Sequence, residues 1–132
     1  MSYDDDPRAD VFLNRARTVA GTRNYDYAIE MYMMGLTLRP GALLVHQELR
    51  AMSLKRKAES GHAMGLFDRM RLSKPMQDPT DDMLRAEKLL AYDPANLDYM
   101  VTMRNAADRA RFDLIVIWLN DLIEKANSDS AQ

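Results

Sequence analysis

Apolar residues recur along this chain at spacings of three and four rather than two, the period of amphipathic helices. Val11, Phe12, Ala16, Val19 and Ala20 define a first helical run from Val11 to about Thr22, with Asp10 as its expected cap. Gly21-Thr22-Arg23-Asn24 interrupts it, and a second run extends from Tyr25 to Leu38 before Pro40-Gly41 stops it. So short a turn makes the two helices antiparallel neighbours. A third run, Ala42 to about Ala58, carries Leu43, Leu44, Leu49, Met52 and Leu54, and it ends in Lys55-Arg56-Lys57, cations that suit a helix carboxyl end.

The rhythm breaks between Ser60 and Pro79, where Gly61, Gly65, Pro75 and Pro79 leave one helix-like piece, Leu66 to Leu72. Asp78-Pro79-Thr80-Asp81-Asp82 then opens a helix running to about Tyr92, with proline near the first position and carboxylates in the first turn. Asp93-Pro94-Ala95-Asn96 separates it from a run over about Leu97 to Arg109, and Arg111-Phe112-Asp113 opens a last one ending near Asn127. No stretch alternates with period two for long enough to predict a strand. The fold class is therefore all-α, three antiparallel helical hairpins in series.

The hairpins also repeat in sequence. From Asn24 to Pro40 the chain places Ala28, Tyr32 and Gly35 before a terminating Pro40, after Phe12 and Ala16 on the preceding helix. This pattern resembles the tetratricopeptide repeat, whose small residues let paired helices approach while large ones fill the neighbour. Pro94 follows Pro40 by 54 residues, about one 34-residue period plus an insertion of about 20. In the last unit Phe112-Asp113 repeats the aromatic-Asp opening, with Ile115, Leu119 and Leu122 at the places of Ala28, Tyr32 and Gly35, and a turn one residue short. Arg50 and Arg104 stand where the family has small residues, and Asn127 where it has proline.

The resemblance implies a short right-handed α-solenoid over residues 9–128, between an acidic tail (1–8) and a short tail (129–132), with repeats at 9–42, 43–96 (insertion 60–79) and 97–128. It further implies a non-enzymatic scaffold that binds a peptide or protein segment in a groove lined by the first helix of each hairpin. The matching positions are Leu13, Arg17, Gln47, Ala51, Val101, Asn105 and Arg109, of which Arg17, Gln47, Asn105 and Arg109 offer polar contacts to an extended peptide.

Composition narrows the chemistry. The chain has 132 residues, 47% hydrophobic and 29% charged, and no cysteine, which removes thiol nucleophiles, thiolate metal sites and disulfides. The two histidines, His46 and His62, have no carboxylate at metal-ligand spacing, and no glycine-rich phosphate loop occurs, so neither metal, cofactor nor small-molecule substrate is expected. Asp4-Asp5-Asp6 and Asp81-Asp82 read as a tail and a helix start. Most of the eleven methionines read as core, with Met52, Met100 and Met103 as candidates for an adaptable binding surface. The acidic amino terminus and a longest apolar run of only six residues, Leu114 to Leu119, point to a cytoplasmic protein.

Charge and exposure add two further surfaces. A net charge of −2 argues against nucleic acid as a general partner, and with such short apolar runs a membrane is not an expected partner either, yet residues 50–74 carry seven basic and two acidic side chains, leaving this segment +5 and the remainder −7. Its basic patch, Lys55, Arg56, Lys57, Arg69 and Arg71, reads as a solvated stretch gripping an acidic neighbour such as Asp4-Asp5-Asp6; a nucleic-acid or membrane-surface binder is the third-ranked function. The last helix is apolar around most of its circumference, which makes Ile117 and Trp118 an interface to another copy or to the next repeat of a longer array. An oligomerisation module built on that face is the rival to the groove.

Overall fold

The computed structural model describes residues 6–59 and 61–130, and among them every element is helical. These are α1 (Ala9–Gly21), α2 (Tyr25–Leu38), α3 (Leu43–Ala58), α4 (Leu66–Leu72), α5 (Pro79–Tyr92), α6 (Leu97–Arg109) and α7 (Asp113–Ser130). No helix of the described residues is long and apolar enough to cross a membrane. The chain divides into two compact units, Met1–His62 and Ala63–Gln132, holding α1 to α3 and α4 to α7.

In the first unit α1 packs on α2, and α2 on α3. Ala9, Leu13 and Ala16 form one stripe of α1, buried with Ala28, Ile29, Tyr32 and Leu36 of α2. Leu13 is thus a core residue, not the groove residue its position suggests, because it shares the inward stripe with Ala9 and Ala16. Asp10 does not cap α1. The helix starts at Ala9, whose N–H reaches the Asp6 carbonyl (3.2 Å), and the Asp10 carboxylate inside the first turn pairs with Arg39 at 2.9 Å.

In the second unit α5 packs on α6, α6 on α7, and α4 on α5. Asp78 caps α5 by accepting from the Asp81 N–H (3.0 Å), and Asn96 caps α6 by accepting from Tyr99 (3.0 Å). Met100 and Met103 lie in the core and form no thioether surface, whereas Met52 in the first unit, although 6% exposed, lines a cleft.

Two turn geometries occur twice in the backbone. After α2 and after α5 the chain leaves the helix through residues at nearly the same angles, Arg39 (φ −132°, ψ 65°) and Asp93 (φ −140°, ψ 72°). In both cases a fully buried proline follows, Pro40 or Pro94. The bonds that close these turns also correspond, Ala42 N–H to Arg39 O (3.2 Å) and Asn96 N–H to Asp93 O (3.1 Å). After α1 and after α6 the chain makes a Schellman turn. Arg23 N–H donates to Ala20 O and Asn24 N–H to Val19 O; Arg111 N–H donates to Asp108 O and Phe112 N–H to Ala107 O. The α6–α7 turn is therefore not a residue short. α7 instead brings its buried pair, Ile115 and Leu119, inward one residue earlier than α2 brings Ala28 and Tyr32.

Candidate functional site

A cleft of about 690 Å³ opens in the first unit between the carboxyl half of α1 and the outer face of α3. Its apolar lining comes from Ala20, Ala51 and Met52, and its rim is charged. The α3 contribution follows from helix periodicity, since Glu48, Ala51, Met52, Lys55 and Glu59 fall at spacings of three and four on one face.

The rim carries the same three side-chain types twice. Arg17 Nε donates to Glu48 Oε1 at 2.6 Å and its Nη2 to Oε2 at 3.1 Å, while the Tyr32 hydroxyl donates to Oε1 at 2.7 Å. Towards the other end Arg23 lies 3.5 Å from Glu59, and the Tyr25 hydroxyl donates to the same carboxylate. Lys55 stands on α3 between the two glutamates and lines the cleft with its exposed side chain.

These contacts fix the protonation states. The Arg17 hydrogen bonds hold the Glu48 carboxyl below its ordinary value, against an opposing push from partial burial. Burial and then the Glu48 carboxylate drive the Tyr32 phenol well above its ordinary value, and Glu59 raises Tyr25 in the same direction. At neutral pH the rim therefore presents an ionised Glu48 carboxylate beside neutral Tyr32 and Tyr25 phenols. Such a set offers hydrogen bonds and charge to a polar chain, with an apolar floor for its side chains.

Of the sequence-derived groove residues, Arg17 and Ala51 line this cleft. Gln47 is half-buried beside Glu48, and Asn105, exposed on α6 in the second unit, accepts from Arg104 Nε (2.9 Å). Arg109, also in the second unit, donates to Asp82 at 2.5 Å. That carboxylate is buried and further accepts from Arg85 Nε (2.8 Å) and the Met76 N–H (2.9 Å). Burial pushes the Asp82 carboxyl up, but these three donors outweigh it and leave it below the ordinary range. Asp82 is thus a buried ion-pair centre as well as a helix-start acid.

The basic patch is divided. Arg56 is only 3% exposed, with Nε donating to Asp26 at 2.7 Å and Nη2 to the His62 carbonyl at 2.5 Å, so it is not a surface cation. Lys55 and Lys57 are exposed in the first unit, and Arg69 and Arg71 on α4 in the second. Asp4 and Asp5 lie outside the described residues, and the Asp6 carboxylate, held down to about 2 by hydrogen bonds from Arg8, is paired locally. His46 is buried, its Nε2 2.7 Å from the Pro40 carbonyl, where it ties the turn between α2 and α3. On α7, Ile117 is 64% and Leu114 65% exposed, with Trp118 half-buried.

Arg23, Glu48, Glu59 and the two tyrosine hydroxyls are rim residues that sequence reasoning missed. The spacing of Glu48, Lys55 and Glu59 could have marked a polar face on the third helix, but nothing local pairs Glu48 with Arg17. Comparisons with protein-family models, curated proteins and solved structures gave no match for this chain.

Proposed function

We propose that this chain is a non-enzymatic helical-repeat scaffold of tetratricopeptide type, its three hairpins stacked as a short right-handed solenoid in the cytoplasm. It binds an extended peptide or protein segment in the cleft between α1 and α3. The observation that carries the binding role is that cleft, with Arg17 and Ala51 at the first-helix positions from which such repeats bind peptides. Support for the repeat comes from the paired turns at Pro40 and Pro94 and at Arg23 and Arg111. The apolar floor takes side chains of the bound segment, and Arg17, Lys55 and the rim carboxylates pair with its backbone and polar groups.

Selection from a random peptide library, followed by titration of the enriched peptides, tests this. Peptides that bind the wild type and lose at least tenfold on Arg17→Glu with Lys55→Glu support the reading. No enrichment, or binding indifferent to both changes, overturns it.

The exposed Leu114 and Ile117 favour a second reading, an oligomerisation module built on α7. Sedimentation analysis of wild type and Ile117→Glu distinguishes the two. A self-associated species that dissociates on the substitution supports the α7 interface, and a concentration-independent monomer removes it.

A further inference from the structure

We infer that α4 and the residues that follow it form a docking element for an anionic membrane surface. The helix contributes no buried residue to either unit. At about 100° per residue, Leu66, Met70 and Phe67 share one arc of about 100°, with Arg69 beyond one edge and Arg71 beyond the other. Leu72 lies on the far side and is half-buried.

All three residues of the arc are exposed, Leu66 to 57%, Met70 to 58% and Phe67 to 84%. Lys74 and the exposed Met76 continue the same combination of cation and apolar side chain. Within residues 66–77 one carboxylate, Asp68, stands against Arg69, Arg71 and Lys74 and pairs with Arg71 at 2.8 Å; the next exposed carboxylates, Asp78 and Asp81, belong to the start of α5.

The element is anchored. Arg85 Nη1 donates to the Leu72 carbonyl at 2.6 Å, and the Met76 N–H donates to Asp82, so both ends of the segment's second half are fastened to the buried charge centre of α5. The apolar arc is thereby held outward at no cost to the core. An apolar arc edged by arginines matches a lipid interface, where side chains enter the acyl boundary and guanidiniums reach the headgroup phosphates. The projecting Phe67 also favours lipid over an acidic protein. A bilayer admits a knob of this kind without a preformed pocket, whereas a protein surface must supply one.

Vesicle co-sedimentation at low salt tests the inference, using phosphatidylcholine vesicles with and without phosphatidylglycerol. The full chain should sediment with the anionic vesicles, stay free of the zwitterionic ones, and release at high salt. Arg69→Gln and Lys74→Gln should each lower partitioning about fivefold, and Phe67→Ser with Leu66→Ser should abolish it while the far-ultraviolet spectrum stays unchanged. Phe67→Trp should show blue-shifted emission on addition of anionic vesicles. Absence of sedimentation with anionic vesicles at low salt overturns the inference, as does binding that survives the double serine change. Binding of polyglutamate without binding of vesicles also overturns it, and assigns α4 to an acidic protein partner instead.

Discussion

Leu13 occupies the space that a side chain on Gly35 would need: a Cβ added there would lie 2.4 Å from Leu13 Cδ2 and 2.8 Å from its Cγ. The close approach of α1 to α2 depends on this missing carbon. Because Leu13 is 1% exposed, it has no room to retreat. Overpacking costs about 1–3 kcal/mol, against a gain of about 1 kcal/mol from replacing glycine within a helix. Gly35→Ala should therefore destabilise the protein by about 1 kcal/mol. Gly21→Ala, which meets nothing within 4 Å, should stabilise by about 0.5–1 kcal/mol. Urea unfolding of the two variants reads the opposite signs.

Arg111 sits at φ 65° in the turn between α6 and α7, as Arg23 does between α1 and α2. A β-carbon in left-handed geometry costs about 1–2 kcal/mol, and glycine is the usual occupant of this place in a Schellman turn. Arg111→Gly should raise stability by about 1 kcal/mol once its greater unfolded-state freedom is subtracted. A rise in the urea midpoint with an unchanged slope is the expected result.

Asp82 neutralises Arg85, whose side chain is 6% exposed. Removing one member of a buried pair leaves the other charge uncompensated, so Asp82→Ala should cost about 3 kcal/mol. Replacing both by apolar groups, Asp82→Leu with Arg85→Met, should recover most of that loss. Arg109 is half-exposed and loses little when its partner goes. A thermal melt of the single and double variants checks the order.

Glu48 has a folded value depressed below its ordinary 4.5. Its contribution is therefore fully present above pH 4.5 and is lost as pH falls through the lower folded value. With the site partly open to solvent and screened by it, Glu48→Gln should cost about 1 kcal/mol at neutral pH. The gap between wild type and variant should close on acidification, and narrow with salt at fixed pH. A gap independent of pH would mean that packing, not the Arg17 pair, sets the cost.

Much of the fold was legible because helix signals are local. The run Tyr25 to Leu38, the short piece Leu66 to Leu72 and the run Leu97 to Arg109 coincide with α2, α4 and α6. Asp78 and Pro79 start α5 where a capping acid followed by proline should. Each of these signals acts within four or five residues, the reach of a helical hydrogen bond or a cap. Exposure of Ile117 was also legible, since a helix apolar around most of its circumference exceeds what a single neighbour covers.

What the sequence determined by itself was this succession of helices and breaks, and with it the all-helical class. Tertiary structure alone decided which neighbour of each apolar pair turns inward, Leu13 rather than Phe12, because the close approach at Gly35 sets the rotation of α1. It alone drew Arg17 to Glu48 across 31 residues and Arg109 to Asp82 across 27. It also took Arg56 out of the basic surface by pairing it with Asp26. A charge leaves the same mark in a sequence whether it is solvated or paired, and its partner is chosen only when distant segments meet.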